Sequence, residues 1–195
     1  MEIRSFVQVF DEVLHPEAVA CLLQWLNKTD RFEKAGVINN DKNKKDVVRE
    51  DIRKTESFAF LPNDKELTSV HWFNVLRRKI EQQVDNYRIL HPNIDLHPHK
   101  VAEINALKYK PGGFYKYHTD YHIKFPRVIS TITLLNNDYK GGQLCFRNPQ
   151  KEEDSEFCID VKPGRMIMWP SNFLYPHTIK PITEGIRYSI VGWVW

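Results

Sequence analysis

The stretch FYKYHTDYH, residues 114 to 122, sets His118 and Asp120 two positions apart among three tyrosines. An imidazole and a carboxylate are two of the ligands that a divalent metal takes, provided they face the same way. Residues two apart share a face of a strand, whereas residues four apart share a face only on a helix. The stretch follows a Pro-Gly-Gly break and is dense in aromatics, so it reads as a strand. That sets aside the helical pair His118 and His122. A third ligand must then come from another strand, and His177, in YPHTIKPITEG, is the candidate. Two imidazoles and one carboxylate leave three positions of an iron(II) ion open for co-substrate and oxygen. Arg187 follows ten residues later and shares a strand face, by parity, with Ser189, Val191, Trp193 and Trp195. A guanidinium facing inward beside a metal needs an anion, and its planar fork fits a dicarboxylate such as 2-oxoglutarate.

The elements that must position these groups change character along the chain. HPEAVACLLQWLNK places Pro16 at a first helical position, then Val19, Leu22, Leu23 and Leu26 at helical spacing. DKELTSVHWFNVLRRKIEQQVDNYRIL repeats the pattern with Phe73, Leu76, Ile80, Val84 and Tyr87. Between them, NNDKNKKDVVREDIRK (residues 39 to 54) is highly charged and can bury little surface, and TESFAFLP reads as a strand. From residue 101, eight short β-branched or aromatic runs alternate with Gly, Pro and Asn breaks, as in a sandwich or jelly roll. The fold class is α+β, with an all-β half whose outer face the helices cover.

Composition excludes several classes. The chain has 195 residues, 42% hydrophobic and 27% charged, enough for one domain with a sizeable core. Net charge is +3, too small to imply nucleic acid, and no apolar run approaches the roughly 20 residues that cross a bilayer. The opening MEIRSFVQVFDEVL lacks the apolar run and cleavage site of a leader. Cys21, Cys145 and Cys158 are odd in number and widely spaced, which argues against disulfides and for a reducing, cytoplasmic setting. Cys145 and Cys158 read as small core residues, Trp169 as core, and His97, His99 and His122 as surface groups.

The longer motifs resemble those of iron(II)- and 2-oxoglutarate-dependent dioxygenases, specifically the prolyl 4-hydroxylase group. YKPGGFYKYHTD is similar to that group's Tyr-x-x-Gly-Gly-x-Tyr-x-x-His-x-Asp, RVISTITLLNNDYKGGQLCF to its arginine-led strand and Gly-Gly hairpin, and HTIKPITEGIR to its closing motif. The resemblance runs from about residue 103 to the end, with a fainter match at VFDEVLHPEAVACLL. It implies a double-stranded β-helix, or jelly roll, over residues 101 to 195. Residues 1 to 100 are then helical support within a single oxygenase domain, with residues 39 to 54 as a lid over substrate. It implies iron(II) on His118, Asp120 and His177, and 2-oxoglutarate held by Tyr109 and Arg187. Substrate contacts fall on Tyr115, Arg127, Trp193 and Trp195. Molecular oxygen completes the set, with ascorbate as reductant. The implied reaction hydroxylates peptidyl proline while 2-oxoglutarate is decarboxylated to succinate, and the implied partner is a protein or peptide containing proline. Two departures stand out: the group usually has lysine where this chain has Arg187, and the chain ends at Trp195. Other substrates remain open: a free amino acid, another protein side chain, or a modified base, although RYSIVGWVW lacks the arginine-rich ending of the repair demethylases. A non-catalytic binding module on the same barrel is the third reading.

Overall fold

The structure, a computed structural model, describes residues 3–37, 47–96, 100–123, 125–148 and 156–195. The charged linker therefore falls partly outside the described residues, as do His97 and His99.

Among the described residues, two α-helices and fourteen strands follow one another after a 3-10 turn at Ile3–Phe6. The first part holds β1 (Gln8–Phe10), α1 (Pro16–Lys28), β2 (Glu33–Lys34), β3 (Arg53–Lys54), β4 (Glu56–Phe60) and α2 (Leu67–Leu90). Then come β5 (Val101–Tyr109), β6 (Phe114–His118), β7 (Ile129–Leu134), β8 (Lys140–Gly141), β9 (Leu144–Arg147) and β10 (Glu156–Ile159). The chain closes with β11 (Met166–Pro170), β12 (His177–Ile179), β13 (Ile182–Glu184) and β14 (Arg187–Val194).

The strands form a seven-stranded antiparallel sheet in the order β1-β11-β7-β14-β5-β4-β2 and a five-stranded one in the order β10-β9-β12-β6-β3, and β8 pairs with β13. Side chains from both larger sheets meet in one apolar layer: Leu107, Ile132, Trp169 and Val191 from the first, Leu144, Phe146 and Ile179 from the second. Two facing antiparallel sheets of this order are the jelly roll expected from the strand pattern. The expected eight strands after residue 101 are ten. The two extra ones, β8 and β13, lie in segments whose Gly and Pro punctuation reads as turn, and only their mutual pairing makes them strands.

The opposite face of the large sheet packs against the helices. Leu22 and Leu26 of α1 and Leu76, Ile80 and Val84 of α2 lie in one cluster with Ile104, Ala106, Tyr188 and Ile190. Pro16 at the first turn, Glu17 beside it and Lys28 in the last turn suit the ends of α1. Each fully buried leucine stabilises the packing by about 1.5–3 kcal/mol. Glycine permits the closest approach. A Cβ on Gly192 would lie 2.5 Å from Ile80 Cδ1 and 2.9 Å from Thr131 Oγ1, so Gly192→Ala would require the Ile80 and Thr131 side chains to shift. Among the described residues no helix is long and apolar enough to cross a membrane.

The cysteine reading needs correction. Cys145 and Cys158 stand directly opposite each other on β9 and β10 and are disulfide-bonded, with Cα atoms 4.0 Å apart. Cys145 is buried but Cys158 is exposed, and Cys21 is free. A sequence separation of 13 hides a pairing that strand register creates. With that bond in place, the cysteine count no longer argues for a reducing compartment.

Val37 and Val47 form an antiparallel bridge, and Arg53–Lys54 pairs with β6 as an edge strand. The described end of the linker is thus part of the small sheet.

Candidate metal centre

β6 and β12 lie side by side in the small sheet with His118 opposite His177. Both imidazoles therefore leave the same face, and their ring centroids are 4.3 Å apart. Asp120 lies two residues past the end of β6, where the chain bends, and turns its buried carboxylate back toward them. Its Oδ1 is 3.7 Å from His118 Nε2 and its Oδ2 is 3.6 Å from His177 Nε2. The three ligand atoms all lie within 4.8 Å of one another.

The orientation of both rings is set from behind. His118 Nδ1 lies 2.9 Å from the Lys116 carbonyl, and His177 Nδ1 lies 3.0 Å from the Tyr175 carbonyl. A carbonyl only accepts, so each Nδ1 carries the proton and each Nε2 presents a lone pair. Burial, and then the neighbouring His177, push the His118 imidazole well below its usual pKa. Burial alone would raise Asp120, but His177 and His118 outweigh it and hold the carboxyl below its usual value. Neutral imidazole beside ionised carboxylate is the protonation state that metal ligation requires. The donor set thus fits a divalent iron in both chemistry and geometry.

A register shift in β6 explains a further placement. Tyr115 and His118 are three apart, which on a regular strand would point them to opposite faces. The partner of Ile179 is Tyr115 rather than Lys116, so β6 carries one extra residue between the pairs. Tyr115 therefore stacks on His118, with ring centroids 3.5 Å apart. Burial raises the Tyr115 hydroxyl to about 12, which keeps it a neutral donor. Trp169, read as core, is buried and sets its ring edge-on to His177 at 4.9 Å.

The triad opens into a cavity of about 210 Å³. Tyr109, Tyr115, Arg127 and Trp193 line it together with His118, Asp120 and His177, whereas Arg187 and Trp195 do not. Arg187 is fully buried beside Tyr109, its guanidinium carbon 5.4 Å from that ring. Its Nη1 donates to Ser189 Oγ at 2.8 Å, but Nε and Nη2 are buried without a partner, as is the Tyr109 hydroxyl. Tyr139 adds a second orphaned hydroxyl that the sequence reading missed. Gly142, at φ +66°, separates it from Arg187. A Cβ there would lie 2.9 Å from Arg187 Cδ and 3.1 Å from Tyr139 Cε2. Buried donors without acceptors cost free energy, and an anion with several oxygens would satisfy all of them. Arg187 and the tyrosines fit the far carboxylate of 2-oxoglutarate.

The remaining expected contacts are placed differently. Arg127 donates to both oxygens of Glu103, at 2.9 and 3.0 Å from Nη2, and from Nη1 to the Asp120 carbonyl at 3.4 Å. Its guanidinium also stacks on Trp193 at 3.9 Å. Trp195 exchanges backbone bonds with Lys100, and its ring packs near Phe125. His122 is half-buried, bridged to Phe125, and outside the triad. Arg53 on β3 also lines the cavity, over the Tyr115 ring at 4.7 Å, although nothing in its sequence surroundings marks it.

Comparison with known proteins agrees with this geometry. Residues 104–195 match the 2OG-Fe(II) oxygenase superfamily. A PKHD-type hydroxylase of Idiomarina loihiensis is 27% identical over 107 residues, which cover 51% of this chain and 44% of that protein. A PKHD-type hydroxylase of a Synechococcus strain is 32% identical over 105 residues, covering 50% and 44%. The matches thus span less than half the length of these curated relatives. The crystal structure of a Pseudomonas putida prolyl-4-hydroxylase superposes with a TM-score of 0.71 at 22% identity, covering 97% of this chain and 92% of that one. A prolyl hydroxylase from Trichoplax adhaerens, in complex with a hypoxia inducible factor oxygen degradation domain peptide fragment, superposes with a TM-score of 0.75 at 17% identity, covering 98% and 84%. The motifs in order and the ligands gathered on two paired strands thus fall within the stretch, residues 104–195, that matches the 2OG-Fe(II) oxygenase superfamily, and the chain shares its fold with the two prolyl hydroxylases.

Proposed function

We propose that this chain is an iron(II)- and 2-oxoglutarate-dependent hydroxylase of peptidyl proline, working as one oxygenase unit with the N-terminal helices as its support. The observation that carries the reading is the pairing of a His118–Asp120–His177 cluster with orphaned buried donors on Arg187 and Tyr109. A metal site alone would suit many chemistries. A metal cluster together with buried donors that have no acceptor suits a keto-acid co-substrate. The proline-directed part is supported by the likeness to two prolyl hydroxylases, one of them holding a peptide.

When bound, iron(II) with 2-oxoglutarate and oxygen supplies hydroxylation of a C–H bond coupled to decarboxylation to succinate. The chain's own residues do the rest. His118, Asp120 and His177 would hold the metal, with the two Nδ1–H bonds to backbone carbonyls fixing which nitrogen faces it. Arg187 and Tyr109 would donate to the far carboxylate and so set the co-substrate's direction of entry. Tyr115 and Trp169 cover the two imidazoles and keep water from their faces. Trp193, braced by Arg127, forms the substrate side of the cavity.

Mass spectrometry of proline-containing peptides incubated with protein, iron(II), 2-oxoglutarate and ascorbate tests the reading. We expect a one-oxygen mass gain on proline, matching succinate, and neither from Asp120→Ala. Succinate without peptide oxidation would discard proline but keep the oxygenase. Iron-loaded protein giving neither would overturn both.

A further inference from the structure

Three arginines surround this site, and their states differ. Arg187 faces the orphaned co-substrate socket, and Arg127 is fully engaged with Glu103, the Asp120 carbonyl and Trp193. Arg53 is the third. Its Nη1 donates to the Gly36 carbonyl at 3.2 Å, its Nε is buried without a partner, and no carboxylate among the described residues pairs with it. It is nevertheless held in place. Arg53 sits opposite Tyr115 in the β3–β6 pairing, Lys116 N–H donates to the Ile52 carbonyl at 3.0 Å, and the guanidinium lies over the Tyr115 ring. One tyrosine ring thus separates this cation from a metal-binding imidazole.

Charge balance gives the cation a use. With metal and co-substrate in place, the dication and Arg187 are offset by Asp120 and the two carboxylates of 2-oxoglutarate. Arg127 is offset by Glu103. Arg53, half-buried in the cavity wall, is left without a carboxylate partner among the described residues. We infer that Arg53 is a specificity-determining residue that binds a carboxylate of the substrate. This rests on the oxygenase reading above. Because Arg53 and His118 both pack on the Tyr115 ring, the carboxylate belongs to the reacting residue itself or to its chain neighbour, consecutive Cα atoms being about 3.8 Å apart. Two sources share that chemistry: the side chain of an acidic residue next to the target, or the free α-carboxylate of a C-terminal or free amino acid.

The test compares matched peptides carrying Glu, Gln or Lys on either side of proline, peptides ending in proline as acid or amide, and free proline. Binding is measured by calorimetry without oxygen, on protein holding iron(II) and 2-oxoglutarate, and turnover of the same ligands is measured in air. We expect each preferred acid to bind about tenfold or more tighter than its amide, as one charge-assisted hydrogen bond implies. Arg53→Gln should erase that ratio, and Arg53→Glu should favour lysine, while the 2-oxoglutarate-induced rise in Tm stays at the wild-type value. Whether the glutamate peptide or the C-terminal acid shows the larger ratio identifies the source. Wild-type protein that binds acids and amides alike, or binds none of the ligands, overturns the inference. So does Arg53→Gln weakening every ligand equally. Charge-selective binding through Arg53 with no oxidation and no succinate would instead leave Arg53 standing and overturn the enzymatic reading.

Discussion

Arg187 and Arg127 are both buried arginines on strands or strand approaches of the same sheet, and their surroundings make them opposite in kind. Arg187 has one internal acceptor, the Ser189 hydroxyl, and two unpaired nitrogens. Arg127 spends its donors on a neighbouring carboxylate and a backbone carbonyl, and its face on an indole. The first, on the proposed function, is a socket for the co-substrate carboxylate. The second is a brace that joins Glu103 on β5, Trp193 on β14 and the backbone of a metal ligand. Residue type and burial are shared, so the acceptor inventory alone tells ligand-binding from structural arginine.

Substituting each arginine's support should separate the two roles. The largest effect is expected at the socket. Arg187→Met removes a buried charge that has no counter-ion in the protein, so the ligand-free Tm should hold or rise. Wild-type protein should gain about 2.7 kcal/mol at a 2-oxoglutarate concentration about a hundredfold above Kd. The variant should gain nothing, as read by thermal denaturation with and without the co-substrate. A lowered ligand-free Tm with the shift retained would make Arg187 a structural residue.

At the brace the pattern should reverse. Glu103→Gln leaves the Arg127 cation, only 8% exposed, without its charge partner, and should cost about 1–3 kcal/mol in chemical denaturation. Its 2-oxoglutarate shift should match wild type. If stability is unchanged and peptide KM rises instead, Arg127 is directed at substrate and the contrast fails.

The smallest effect belongs to an ion pair remote from the cavity. The Arg31 hydrogen bond, followed by the Glu66 backbone N–H, holds the Asp64 carboxyl at about 2 against an ordinary 3.8. A carboxyl lowered on folding adds stability that is complete above its unfolded value and lost as pH falls toward the folded one. Asp64→Asn should therefore flatten the stability curve between about pH 4 and pH 2. It should leave the co-substrate shift untouched. A change in that shift would mean that the helix layer, and not only the cavity wall, sets the socket.

Local pattern carried much of this molecule. The 3.6-residue spacing of Leu22, Leu26, Leu76, Ile80 and Val84 marks the helix faces that cover the sheet. The two-residue alternation of β14 puts Arg187, Ser189, Val191 and Trp193 on one side and Tyr188 and Ile190 on the helix side. Spacing within HTD put His118 and Asp120 forward as a pair, the late-strand His177 and the ordered motifs of the resemblance completed the set, and the fold brings the three together. Parity was a poorer guide where strands depart from regularity. Asp120 lies beyond its strand, Tyr115 reaches His118 only through a bulge, and Trp195 falls past a register shift at Trp193 and Val194.

Everything that depended on which distant residue stands opposite which was decided by the tertiary structure. The Cys145–Cys158 bond, the Glu103 partner of Arg127 and the lack of a carboxylate partner for Arg53 among the described residues follow from how the strands pair, and register is set by the burial of whole faces. A sequence states what each side chain can donate or accept. Only the packed sheets determine which of those bonds are already made and which are left for a ligand.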